Sequence, residues 1–195
     1  MHQKKIAIYG STGSIGKQTL EVISAHPELF IAEILTAYSN DALLIEQALQ
    51  FVPNIVVIGD ITKYANVKKA LEGKPIKVFA GEEALEQVAG MDCYDFMMAG
   101  IVGFAGLKPT LTAVRNGKTI GLANKETLVV AGDIVMREAK ENKANIMPVD
   151  SEHSAIFQCL VGEAHNPIEK IILTASGGPF LGKKPNFLVN VKRDH

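Results

Sequence analysis

The sequence carries KIAIYGSTGSIG at residues 5–16, where a short apolar run leads directly into three glycines spaced three apart. The run at 5–9 has the length and composition of a strand buried on both faces. Glycines between a strand and a helix let the backbone approach a pyrophosphate, whose charge then meets free N–H groups at the helix N-terminus. A purely structural turn uses the same residues, so it is the strand and helix on either side that favour a dinucleotide site.

The same alternation of short apolar runs and amphipathic stretches continues along the chain. Further strands are predicted at residues 31–37, 55–58, 76–79, 96–99, 119–123, 144–149 and 170–174. Helices are predicted at residues 16–25, 41–51, 63–71, 82–88, 107–116 and 126–142. This order predicts an α/β fold with a Rossmann-like, doubly wound, mostly parallel sheet. Cap and acidic residues at 150–152 precede a new helix at 154–160, which places a domain boundary after residue 149.

Composition limits the classes of partner. The 195 residues are 47% hydrophobic, enough for a substantial core, and 20 basic residues nearly balance 21 acidic ones. Because like charges form no block, we expect no nucleic-acid or membrane partner and a small-molecule ligand instead. No apolar run approaches membrane-spanning length, which predicts a cytoplasmic protein. Cys93 and Cys159 lie in apolar stretches and are interpreted as buried thiols rather than as disulfide or zinc ligands.

The second predicted strand ends in Thr36-Ala37-Tyr38-Ser39-Asn40. An NAD site usually has Asp or Glu at this position to hold the ribose 2′-hydroxyl. Neutral hydrogen-bonding residues leave room for a 2′-phosphate. The segment therefore favours NADP, although Asp41 follows closely and no arginine stands nearby in the sequence.

LANKETL at 122–128 places Asn124, Lys125 and Glu126 at a predicted strand-to-helix junction. The carboxyl ends of strands in an open α/β sheet form the crevice where ligands bind. Asn124 also suits a helix cap, with Lys125 and Glu126 in a solvated first turn. A lysine there opposes the helix dipole, however, and an anionic ligand nearby would explain it better.

PVDSEH at 148–153 and LTASGGPF at 173–180 each allow two interpretations. Asp150 and Glu152 can offer carboxylate oxygens to Mg²⁺ or Mn²⁺, and they suit helix capping equally well. His153 is interpreted as a surface residue. The paired glycines of the second motif suit an anion-binding nest or a plain turn.

Four segments, in identity, order and spacing, resemble the 1-deoxy-D-xylulose 5-phosphate reductoisomerase family: GSTGSIG at 10–16, LANKETLV at 122–129, PVDSEHSAIFQ at 148–158 and LTASGGPF at 173–180. The resemblance implies an NADPH- and metal-dependent oxidoreductase and isomerase. Its substrate, 1-deoxy-D-xylulose 5-phosphate, is rearranged and reduced to 2-C-methyl-D-erythritol 4-phosphate in the non-mevalonate isoprenoid pathway. It implies an NADPH-binding domain at 1–149, the beginning of an α+β catalytic domain at 150–195, and a homodimer when the enzyme is complete.

The resemblance also implies roles for individual residues. NADPH is expected to contact Thr12, Gly13, Ser14, Ile15, Ser39, Asn40, Asn124 and Glu126. The sugar phosphate is expected to contact Lys125, Ser151, Glu152 and Ser176. Asp150 and Glu152 are expected to ligate Mn²⁺ or Mg²⁺, and together with Lys125 to be catalytic.

The sequence departs from the family pattern in two places. The family often has glycine and a basic residue where this chain has Tyr38-Ser39, and it continues beyond His195 to a third metal carboxylate and more phosphate ligands. We therefore expect the 195-residue chain to bind NADPH better than it turns over. A non-catalytic NADPH-binding module is one alternative. An enzyme with a nucleophilic cysteine, such as a semialdehyde dehydrogenase, is another.

Overall fold

The computed structural model describes residues 3–163, 165–172 and 178–192. Its strands are β1 Lys4–Tyr9, β2 Phe30–Ala37, β3 Ile55–Ile58, β4 Lys77–Ala80, β5 Phe96–Ala99, β6 Thr119–Leu122 and β7 Asn145–Pro148. Its α-helices are α1 Ser14–Ala25, α2 Asp41–Phe51, α3 Tyr64–Ala70, α4 Glu82–Ala89, α5 Leu107–Arg115, α6 Glu126–Glu141, α7 Ser151–Leu160 and α8 Pro185–Leu188. By packing, the chain divides into two compact units, Met1–Ser154 and Ala155–His195. Among the described residues, no helix is long and apolar enough to cross a membrane.

The strands form one sheet in the order β4-β3-β2-β1-β5-β6-β7, and each pair of neighbours is parallel. The chain starts in the middle at β1, winds outward to β4, returns to β5 beside β1 and winds outward again to β7. The predicted doubly wound sheet is confirmed. All its carboxyl ends lie on one edge, and the switch point lies between β1 and β5.

The sheet is buried on both faces by two apolar layers. Ile6 and Ile8 of β1 point to the layer that contains the buried faces of α1, α2 and α3. Ala7 and Tyr9 point to the layer that contains those of α4, α5 and α6. Alternate side chains of a strand point to opposite faces, so a continuous apolar run is what a two-sided core requires.

Several predicted features differ from the structure. Helix α7 begins at Ser151, earlier than the predicted residue 154, because the N–H of Ser154 already donates to the carbonyl of Asp150 at 2.8 Å. The strand predicted at 170–174 is absent from residues 170–172, and residues 173–174 lie outside the described part. The prediction of buried thiols is wrong for Cys159, which is exposed, while Cys93 is half-buried. Both cysteines are free, and an apolar neighbourhood in sequence did not imply burial in space.

The second unit, taken by itself, contributes no buried residue within 155–163, 165–172 and 178–192. Its described elements are the last part of α7, a 3₁₀ turn at Gly178–Phe180 and helix α8. Several apolar side chains of this unit are strongly exposed, including Ile172 and Val189. The hydrophobic core that the structure describes therefore belongs to the first unit.

Candidate active site

The glycine turn joins β1 to α1 at the carboxyl edge of the sheet. Gly10 has a φ of +85°, and a β-carbon on Gly16 would lie 2.3 Å from the carbonyl oxygen of Gly10. No side chain fits at residue 16 without moving backbone. Gly13 is the N-cap of α1, so it has no side chain to occupy the N–H groups of the first turn, and that turn contains no acidic residue. These N–H groups form a suitable site for a phosphate anion.

The turn lies at the switch point of the sheet. A β-carbon on Gly10 would lie 3.0 Å from the carbonyl oxygen of Gly100, which follows β5, so the two strand ends approach closely here. A cavity of about 250 Å³ lies between the end of β2 and the segment after β5. Tyr38 lines it on one side, and Phe104 and Lys108 on the other. No site residue was predicted in this β5–α5 segment, although the adjacency of β5 to β1 in a doubly wound sheet would have indicated it.

The first group of predicted cofactor residues lies around this turn and the end of β2. Thr12 and Ile15 are half-buried, and Gly13 and Ser14 are exposed. Ser39 and Asn40 are exposed as well. Asn40 is the N-cap of α2, where its side-chain oxygen accepts a hydrogen bond from the N–H of Leu43 at 3.2 Å.

Asn124 ties the junction between β6 and α6 to the segment after β5. Its side-chain nitrogen donates to the carbonyl of Ile101 and, at 2.8 Å, to that of Gly103. Its side-chain oxygen accepts from the N–H of Thr127 at 3.3 Å. Asn124 is only 3% exposed. The residue therefore does have the capping role that the sequence allowed, and it also fixes the loop that lines the cavity.

Replacing Asn124 by alanine is expected to lower the free energy of unfolding by about 2 kcal/mol, since each lost hydrogen bond contributes about 1 kcal/mol and buried carbonyls lose their partner. Urea denaturation measures this loss. Asn142→Ala is the matched control: Asn142 is exposed, and its side chain donates to the carbonyl of Glu138 at a helix end. A control that loses as much stability as Asn124→Ala would contradict the buried role of Asn124.

Lys125 and Asp150 meet at the carboxyl edge, beyond β6 and β7. The lysine ammonium lies 3.0 Å from one carboxylate oxygen of Asp150, and Nδ1 of His153 lies 2.9 Å from the other. The hydrogen bond from His153, followed by that from Lys125, holds the pKa of Asp150 well below its usual range. The hydrogen bond to Asp150 raises the pKa of Lys125. Asp150 thus places a negative charge of the protein beside Lys125, while the anionic ligand expected there stays a prediction.

His153 is exposed, as predicted for a surface residue, and its ring also contacts Asp150. Residues three apart on a helix share a face, and that spacing was the signal in the sequence. Glu126, Ser151 and Glu152 are exposed. A cavity of about 150 Å³ adjoins Lys125, Asp150 and His153.

Asp150 and Glu152 fit a hard divalent cation in part. Mg²⁺ is often bound through one or two carboxylates, with substrate oxygens and waters completing its shell. Glu152 lies close enough to contribute to the lowered pKa of Asp150. Among the described residues, no group of three or more His, Cys, Asp or Glu could hold a metal ion. Ser176, the fourth predicted substrate contact, lies outside the described residues.

A parallel, doubly wound sheet with a glycine turn at its switch point defines a dinucleotide-binding domain of the Rossmann type. A family model described as 1-deoxy-D-xylulose 5-phosphate reductoisomerase matches residues 6–132. A model of that enzyme's C-terminal domain matches residues 146–195. The chain therefore belongs to the 1-deoxy-D-xylulose 5-phosphate reductoisomerase family.

Individual relatives agree with the family match. The reductoisomerase of Bacteroides fragilis is 57% identical over 178 residues, which cover 91% of this chain and 46% of the relative. That of Clostridium perfringens is 52% identical, covering 92% of this chain and 47% of the relative. The Zymomonas mobilis enzyme in complex with NADPH matches with a TM-score of 0.90 and 39% identity, covering 99% of this chain and 51% of that one. A reductoisomerase in complex with NADPH, fosmidomycin and magnesium matches with a TM-score of 0.86 and 38% identity, covering 97% of this chain and 49% of that one. The chain spans about half the length of the relatives it matches.

Proposed function

We propose that this chain supplies the NADPH-binding domain and the start of the metal- and substrate-binding domain of an enzyme that converts 1-deoxy-D-xylulose 5-phosphate to 2-C-methyl-D-erythritol 4-phosphate. The observation that carries the proposal is the pairing of Lys125 with Asp150 at 3.0 Å, on the same edge of the sheet as the glycine turn. Family membership and the ligands of the related structures support it. The proposed domain boundary lies between residues 149 and 150.

The chain's own residues would bind and orient the reactants. The first turn of α1, at Gly13, Ser14 and Ile15, would hold the pyrophosphate, with Thr12 beside it. The cavity of about 250 Å³ beside Tyr38 would take the adenine ring. Asn124 would keep the loop after β5 in place, and Ser39, Asn40 and Glu126 would complete the cofactor contacts.

When bound, NADPH supplies hydride and Mn²⁺ or Mg²⁺ supplies Lewis acidity. Asp150 and Glu152 would hold the ion, and Asp150 is kept ionised by His153 and Lys125. Lys125 would add positive charge beside the substrate oxygens, where an oxyanion develops. Ser151, Glu152 and Ser176 would contact the sugar phosphate. The complete enzyme is proposed to be a cytoplasmic homodimer.

A second candidate is a module that binds NADPH without catalysis. One observation favours it for the 195-residue chain. The proposed metal site has two carboxylates, Asp150 and Glu152, and no cluster among the described residues reaches three metal-ligating side chains. This candidate predicts NADPH binding by the isolated chain with no Mn²⁺-dependent oxidation of NADPH when 1-deoxy-D-xylulose 5-phosphate is added.

A hybrid protein tests the enzymatic proposal. The matching residues of this chain would replace the 178 matched residues of the Bacteroides fragilis relative. NADPH consumption would then be followed with Mn²⁺ and 1-deoxy-D-xylulose 5-phosphate. We expect substrate- and metal-dependent consumption. A hybrid that binds NADPH but consumes none would contradict the enzymatic proposal and leave the binding module as the better account.

A further inference from the structure

A charged cluster lies at the ends of β2 and β3. The strand ends are held side by side, since the N–H of Asp60 donates to the carbonyl of Tyr38 at 2.8 Å. Asp41, in the first turn of α2, accepts a hydrogen bond from the side chain of Asn66 at 2.6 Å. Its other carboxylate oxygen lies 3.4 Å from the ammonium of Lys63. The cluster therefore places a cation beside the loop that follows β2.

This loop is where a dinucleotide-binding fold distinguishes its cofactors. An acidic residue at the end of the second strand holds the 2′-hydroxyl of NAD, whereas a basic residue nearby accommodates the 2′-phosphate of NADP. Asp41 is the acidic residue available here. The hydrogen bond from Asn66, together with the charge of Lys63, lowers its pKa. Both of its oxygens already have partners on the protein, which leaves fewer lone pairs for a ribose hydroxyl.

Lys63 has the properties that a phosphate contact requires. Its ammonium carries three donors, and the side chain keeps 43% of its surface exposed beside Asp41. The ion pair with Asp41 keeps the ammonium near the loop that follows β2. The opposite charges also cancel, so Asp41 repels an incoming phosphate less than a lone carboxylate would.

We propose that Lys63 selects NADPH over NADH by contacting the 2′-phosphate, with Ser39 and Asn40 as neutral hydrogen-bonding neighbours. The inference rests on the proposed function and adds the residue that sets its cofactor preference. Lys108 is the other candidate cation, since it lines the cavity beside Tyr38. It belongs to α5, across that cavity from the end of β2, whereas Lys63 adjoins the loop after β2 through its ion pair with Asp41.

Calorimetric titration with NADPH and with NADH tests the inference on the 195-residue chain. Lys63→Gln is expected to weaken NADPH binding about tenfold, because a hydrogen bond to a charged group is lost. The affinity for NADH should stay unchanged, which also shows that the variant is folded. Lys63→Arg should retain the preference. Lys69→Gln on the exposed side of α3 is the matched control and should behave as the unaltered chain does.

Other outcomes would overturn the inference. One is that Lys63→Gln weakens the binding of NADPH and NADH equally, and another is that it leaves the NADPH affinity unchanged. A third is that Lys108→Gln loses the preference for NADPH instead. An unaltered chain that binds both cofactors equally would overturn this inference alone. An unaltered chain that binds neither would overturn the proposed function together with it.

Discussion

Gly16→Ala is expected to weaken NADPH binding at least about 100-fold, by displacing the N–H groups that would hold the pyrophosphate. The added β-carbon would lie 2.3 Å from the carbonyl oxygen of Gly10 and 2.5 Å from the α-carbon of Ser11. Both neighbours are backbone atoms, so the turn itself must shift. Overpacking of this kind costs about 1–3 kcal/mol of stability as well. Calorimetric titration and urea denaturation measure the two effects.

Gly132→Ala is the matched control for the glycine turn. Gly132 lies in α6, and its added β-carbon would meet its nearest neighbour, the β-carbon of Leu128, at an ordinary 3.9 Å. Because no neighbour has to move, this variant should keep its stability within about 0.5 kcal/mol and its NADPH affinity unchanged. NADPH binding by Gly16→Ala at the unaltered affinity would show that the turn does not hold the cofactor.

Asp150→Asn in the hybrid enzyme is expected to lower Mn²⁺-dependent NADPH consumption more than about 100-fold. Removing a residue that only supports a metal ligand typically costs 10–100-fold, and loss of a ligand's charge should cost more. The change also removes the ionic partner of Lys125, which lies 3.0 Å away. NADPH affinity should change little, because the glycine turn is at the other end of the site.

Asp133→Asn provides the comparison for Asp150. Asp133 is an exposed residue of α6, and the same loss of charge there should leave the activity of the hybrid within about twofold, as expected for a surface position. Full activity in Asp150→Asn would show that the Asp150 carboxylate is not a ligand of the proposed metal site. A parallel loss of NADPH affinity would indicate a folding defect instead.

The strands could be predicted closely because the sheet is buried on both faces. A two-sided core requires short continuous apolar runs, and β3 at Ile55–Ile58 and β5 at Phe96–Ala99 coincide with their predicted ranges. The run at 170–174 has similar composition but forms no strand at residues 170–172. A strand needs a hydrogen-bonded neighbour, and local composition does not reveal whether a sheet edge is available.

The sequence points to candidate site residues where strand ends carry unusual side chains, and the roles assigned to them stay predictions. The glycine turn stands out by the spacing of its glycines. Lys125 stands out because a cation at the start of a helix opposes the helix dipole, and Asp150 because it follows a strand and precedes a helix. The proposed role of Lys63 could not be inferred from the sequence, since the residue stands more than 20 positions after Ser39 and comes near the same loop only through the pairing of β2 with β3. The exposure of His153 was predicted correctly, but its contact with Asp150 was not, because that contact depends on where α7 begins.

Calorimetric titration of the 195-residue chain with NADPH tests the central claim most directly. That claim is that residues 1–149 form a working NADPH site without the rest of the enzyme. We predict saturable binding of NADPH at least about tenfold tighter than that of NADH, or about 1.4 kcal/mol. A folded chain that binds neither cofactor would contradict the claim, and the activity of the family could not be assigned to it.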